Sequence, residues 1–197
     1  MSAMMSRFMI LSAFVVLLVA WAGKRAPVTR GPSVNARALA AFDTVRQVLQ
    51  HPRCQNCHPG GDAPLQGDDG HVHTQNVQRG TDGRGEIGGQ CTTCHGLANP
   101  PSGYGAHVPP GSAEGWRMPA EDEKLLFVGM SPHALCEQIK DPRHNGGKDM
   151  AALREHLDTP LVRWGWSPGI GRQPVSIPRA RFLAAWEAWA RAGAPCP

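Results

Sequence analysis

Apolar residues in this chain gather into a few stripes at helical spacing, separated by long stretches rich in glycine, proline and aspartate. Leu39, Phe42, Val45, Val48 and Leu49 recur every three or four positions, which predicts a helix leading straight into His51-Pro52-Arg53-Cys54. Ser131-Pro132 offers an N-cap and a first-turn proline, so a second helix should run through Leu135 and Ile139 and stop near Asp141-Pro142. Beyond Gly146-Gly147, Met150, Leu153 and Leu157 share one face of a short helix over 149–157. Phe182, Ala185, Trp186 and Trp189 give the last helix, 178–191, a core-facing stripe, and Gly193 ends it. Residues 59–90 and the stretch from the second cysteine pair to Pro119 read as loop, and Trp164-Gly165-Trp166 lies in a turn-rich segment. No alternation lasts long enough to predict a sheet. The expected fold class is all-α with long loops.

The N-terminus follows different rules. Arg7 precedes an apolar run from Phe8 to Gly23, shorter than the roughly twenty residues of a comfortable membrane span. Small-x-small at Ala20-Trp21-Ala22 fits cleavage after Ala22. The expected organisation is a signal peptide over 1–22, a linker over 23–34 and one domain over 35–197. If the first segment is retained, it becomes a membrane anchor. In both cases the domain is exported, with the periplasm as its expected location.

Composition adds a constraint. The chain holds 23 glycines, 18 prolines and one tyrosine in 197 residues, so its own apolar surface is a thin core. The net charge of +4 is mild and contains no run of like charges, which argues against a nucleic-acid partner.

The chemistry lies in two strings, Cys54-Gln55-Asn56-Cys57-His58 and Cys91-Thr92-Thr93-Cys94-His95. Each is C-x-x-C-H, the attachment pattern of a c-type haem. Two thiols one helical turn apart can reach the two vinyl groups of the ring, and a histidine at i+4 shares their face and can bind the iron. Zinc ribbons also use C-x-x-C, but they separate their pairs by about 15–20 residues, and the gap between Cys57 and Cys91 is longer. The expectation is two covalently attached c-type haems, held by Cys54, Cys57 and His58 and by Cys91, Cys94 and His95. Two large apolar plates would give a glycine- and proline-rich chain something to wrap. The remaining cysteines, Cys136 and Cys196, are expected to form a disulfide in an oxidising compartment.

Each iron has a second axial position. Histidine there gives a closed, low-potential centre, methionine raises the potential, and an open position permits ligand binding or catalysis. The candidates are His71, His73, His107, His133, His144, His156, Met118, Met130 and Met150. His73, in the loop between the motifs, and His156, at the margin of a helix face, rank first. Met118, in a Met-Pro pair, ranks third.

Several further strings are distinctive: HPRCQNCHPGGDAPLQGDD from His51, NVQRGTDGRGEIGGQC from Asn76, LCEQIKDPRHNGGKDMAAL from Leu135, VRWGWSPGIGR from Val162, and the terminal GAPCP. From about residue 35 to the end, the chain resembles a group of exported bacterial two-haem proteins often labelled as a subunit of isoquinoline 1-oxidoreductase. The resemblance implies a small c-type cytochrome and an accessory electron carrier. Its redox partner would be a molybdenum hydroxylase or another periplasmic dehydrogenase. It also favours His73 and His156 as distal ligands. Nothing in the chain looks like a molybdopterin-binding or iron–sulfur sequence, so the isoquinoline label itself is not carried over. The folded part is short, most of it is needed to wrap two haems, and no G-x-S-x-G, P-loop or H-E-x-x-H motif occurs, so the expected role is electron transfer without substrate chemistry. A small dihaem enzyme of peroxidase type and a haem-based sensor are the alternatives.

Overall fold

The computed structural model describes residues 33–197, so the expected signal peptide over 1–22 and nearly all of the linker lie outside the described residues. Helix α1, Val34–Leu49, opens on Ser33, whose hydroxyl accepts from the Ala36 N–H at 3.2 Å. The linker expected to reach residue 34 thus gives way to the cap one residue earlier. Phe42, Val45, Val48 and Leu49 are buried along one stripe of α1, as their spacing requires.

The partner of that stripe is the last helix, α6, Arg179–Arg191, which buries Phe182, Trp186 and Trp189. Phe42 and Trp189 meet with ring centroids 4.9 Å apart. Trp189 also donates its indole N–H to the Pro195 carbonyl at 3.0 Å, which folds the tail back on the core. Helix α3, Pro132–Lys140, adds Leu135, Cys136 and Ile139, and the Sγ atoms of Cys136 and Cys196 lie at disulfide distance.

Short pieces complete the helical part: α2, Pro52–Gln55; α4, Met150–His156; and α5, Pro160–Trp164. Two buried amides set the loops between them. Gln138 accepts from the Leu126 N–H and donates to its carbonyl, at 2.7 and 3.0 Å. Asn145 donates to the carbonyls of Ile139 and Lys148, both at 2.8 Å, and so shapes the turn from α3 to α4.

The structure is mainly helical and loop-rich, with one feature outside the all-α expectation. Strands β1, Leu65–Gln66, and β2, His71–Val72, form an antiparallel hairpin with Leu65 opposite Val72. Two-residue strands are too short for an alternating pattern to reveal. Likewise α5 is a five-residue helix begun by Thr159 and Pro160 where only turns were expected. Among the described residues, no helix is long and apolar enough to cross a membrane.

The Cys136–Cys196 link spans 60 residues. Replacing both cysteines with serine should lower unfolding free energy by about 4 kcal/mol on the chain-entropy account. Urea denaturation of the two forms checks this, and equal midpoints would show that the tail contributes no such restraint.

Candidate functional site

Both C-x-x-C-H strings close one turn by a bond from the histidine N–H to the first cysteine's carbonyl. The first follows α1 with a two-residue link: His51 caps α2, Pro52 starts it, and the His58 N–H donates to the Cys54 carbonyl at 3.1 Å. The second is a single 3₁₀ turn, Cys91–Thr93, in which the His95 N–H donates to the Cys91 carbonyl at 2.9 Å. One turn thus separates each histidine from the first cysteine of its motif.

The two rings are held alike. His58 Nδ1–H donates to the Leu125 carbonyl at 2.7 Å, and His95 Nδ1–H donates to the Pro110 carbonyl at 2.8 Å. A carbonyl oxygen only accepts, so Nδ1 must carry the proton and Nε2 keeps its lone pair. Metal-binding histidines are oriented by this kind of outer bond. Stacking fixes each plane further: Phe127 lies on His58 at 4.0 Å and 18°, and Trp116 on His95 at 4.7 Å and 7°. Burial pushes the His58 imidazole down to about 4, and burial also lowers His95, His73 and His156 below the usual histidine range. All four are therefore neutral near pH 7, the form that can ligate a metal.

A cavity of about 150 Å³ lies beside the first motif. Cys54, Cys57 and His58 line it, as do Met118 and His156, so two of the three favoured distal candidates border the same space. Met118 is placed by a tight junction, donating its N–H to the Gly83 carbonyl at 2.8 Å. Gly83 has φ +77°, and a Cβ there would meet the Met118 oxygen at 2.1 Å, so this crossing requires glycine.

His73 belongs to the other motif. The β1–β2 hairpin is rooted on the first motif: the Leu65 N–H donates to the Asn56 carbonyl at 2.9 Å, and Asn56 donates to the Gly67 carbonyl at 3.0 Å. Its exit carries His73 to His95, with ring centroids 6.3 Å apart. The His73 Nδ1 is buried without a hydrogen-bond partner. The motifs are close neighbours, since the Cys91 thiol adds to the burial that pushes Cys57 up to about 12.

Two buried arginines were not evident from sequence. Arg53, beside Cys54, pairs with Asp68, donates to the Gly67 carbonyl at 2.6 Å, and lies 5.9 Å over the Trp164 ring. Trp164 packs edge-on against Trp116 at 4.8 Å, which links the surroundings of both motifs. Arg79 pins the intervening loop through Asp62 at 3.2 Å and the Pro119 and Gly61 carbonyls at 2.7 and 3.0 Å. Nothing in the composition of these loops marks either arginine as buried.

The donor set bears on what could be held. Among the described residues, the one trio of metal-ligating atoms within 4.8 Å of one another is Cys136, Glu137 and Cys196, which contains the disulfide pair. The motif thiols and imidazoles do not converge on a point, as a tetrahedral zinc ion needs. At the first motif, spaced thiols, a free Nε2 and an adjoining cavity are compatible with a planar macrocycle. No protein family, curated protein or solved structure matches the chain.

Gly83→Ala tests the junction beside the cavity. Left-handed backbone costs alanine about 1–2 kcal/mol before the clash with Met118 is counted. Unfolding free energy should fall by at least that much, as read from urea denaturation.

Proposed function

We propose that this protein is an exported dihaem c-type cytochrome that carries electrons and performs no substrate chemistry. The observation that carries this reading is the repeated arrangement at the two C-x-x-C-H turns: thiols one turn apart, and an imidazole whose Nδ1–H is committed to a backbone carbonyl.

Cys54 and Cys57 would tether one haem and Cys91 and Cys94 the other, with His58 and His95 as proximal ligands. Bound haem supplies a one-electron iron couple. The chain's own part is to orient the ligands, exclude water and hold the two centres close together. His73 is the distal ligand proposed at the His95 centre, on the 6.3 Å separation of their rings. His156 is proposed at the His58 centre: it lines the cavity there, it is neutral, and its charge would be felt at His58. Met118 borders the same cavity and ranks behind it. Two histidines per iron give low potentials and leave no open position for peroxide or oxygen.

The resemblance to exported two-haem proteins supports an accessory role. The proposed partner is a periplasmic dehydrogenase or a molybdenum hydroxylase that passes electrons to this carrier.

Carbon monoxide provides the test. The reduced native protein should show no carbon monoxide spectrum, His73→Ala should open the second centre, and His156→Ala the first. If His156→Ala is silent while Met118→Ala removes a sulfur-to-iron band, the first centre belongs to Met118. Peroxide-dependent oxidation of a donor should stay well below about one turnover per second. Turnover at or above that rate would overturn the carrier reading.

A further inference from the structure

His95 is held from two sides, and both supports lead to one side chain. Its Nδ1–H donates to the Pro110 carbonyl at 2.8 Å, and its ring stacks on Trp116 at 4.7 Å. Pro110 and Trp116 both lie outside helices and strands. Next to Pro110, the Gly111 N–H donates to Asn99 Oδ1 at 3.2 Å. Trp116 meets Trp164 edge-on at 4.8 Å, and the Trp164 indole N–H donates to the same Asn99 oxygen at 2.9 Å. Asn99 Nδ2 donates to the Ser167 carbonyl at 2.9 Å.

The partners fix how this amide must lie. The Gly111 N–H and the Trp164 indole N–H can only donate, so the atom between them is the oxygen. The Ser167 carbonyl can only accept, so it faces the nitrogen. One oxygen thus gathers donors from positions 12 and 65 residues away. The approach is close: a Cβ at Gly111 would collide with the Ala98 carbonyl oxygen. The Ser112 N–H, donating to the Gly96 carbonyl at 3.1 Å, clips the same two segments, but Asn99 also reaches Trp164. His58 shows why such a bridge is needed. Its supports, the Leu125 carbonyl and Phe127, sit two residues apart, and the Gln138 amide clamps Leu126 between them. At His95 the supports come from positions 110 and 116, and the clamping amide is Asn99.

We propose that Asn99 is the positioning residue of the His95 centre. Its Oδ1 holds the Pro110 carbonyl and, through Trp164, the Trp116 ring where they fix the tautomer and plane of His95. This rests on the dihaem reading above. A carbonyl on Nδ1–H makes Nε2 a stronger donor, which favours ferric iron and lowers the potential. Asn99 therefore lowers the potential chiefly at the His95 centre.

The test uses the exported, haem-loaded full chain in its reduced form. In the native protein, scalar couplings across the hydrogen bonds should connect the Gly111 backbone nitrogen and the Trp164 ring nitrogen to Asn99 Cγ. Asn99→Ala should speed hydrogen exchange at His95 Nδ1–H on the order of tenfold, the scale of one lost hydrogen bond. The change at His58 Nδ1–H should be smaller, and the midpoint potential of one haem should rise. Asn99→Asp keeps the accepting oxygen and should restore the native His95 exchange rate. Equal acceleration at both rings, unchanged exchange and potentials in Asn99→Ala, or Asn99→Asp behaving as Asn99→Ala would overturn the assignment while leaving the dihaem reading intact. Absence of covalent haem from the native protein would overturn both. If the variants do not fold, the native couplings decide: their presence supports the assignment and their absence overturns it.

Discussion

Two backbone carbonyls, those of Leu125 and Pro110, set the terms for the candidate site. Each takes the Nδ1 proton of a motif histidine, at 2.7 and 2.8 Å. That single bond fixes the tautomer, limits rotation of the ring and leaves Nε2 as the free nitrogen. Both carbonyls lie in irregular segments, 67 residues from His58 and 15 from His95, so each ring is held by the loop that carries its carbonyl. Much of the surrounding detail serves this end: Gln138 clamps Leu126 next to Leu125, and the Ser112 N–H donates to the Gly96 carbonyl beside His95 at 3.1 Å.

The two motifs are not independent modules. The hairpin rooted on Asn56 of the first motif and on Arg53 just before it brings His73 near His95 of the second. The Trp116–Trp164 contact and the Arg53 guanidinium tie the same two places from another side. Disturbing one motif should therefore disturb the other. A chain with 23 glycines and 18 prolines places much of its length in such loops. The α1–α6 pair supplies one core, and on the proposed reading the cofactors supply the rest. Binding free energy would then be folding free energy as well.

Much of the helical frame was legible in the chain. The stripes of α1, α3, α4 and α6 are long or well capped, and their spacing states which face is buried. Helices α2 and α5 and the hairpin are too short for periodicity to register. The six motif residues stand out because the same short spacing occurs twice. The other histidines are harder, since a loop histidine comes near a motif only through the fold of its loop. His73 is brought to His95 by hydrogen bonds to Asn56 and from Asn56, which no local pattern discloses. Arg53 and Arg79 escape sequence reading for a related reason. Their partners are carboxylates and carbonyls of other loops, Asp68 and Gly67 for Arg53 and Asp62, Gly61 and Pro119 for Arg79, so nothing adjacent in sequence announces their burial. Trp186 was read correctly as core, but only the surrounding structure reveals that its donor has no partner.

The most direct test of the account is the intact mass and metal content of the protein after export in a host able to attach c-type haem. The account predicts a chain carrying the mass of two haems, retained through denaturation, with two irons per chain and no zinc. A chain with one haem, or with zinc and unmodified Cys54, Cys57, Cys91 and Cys94, would contradict it.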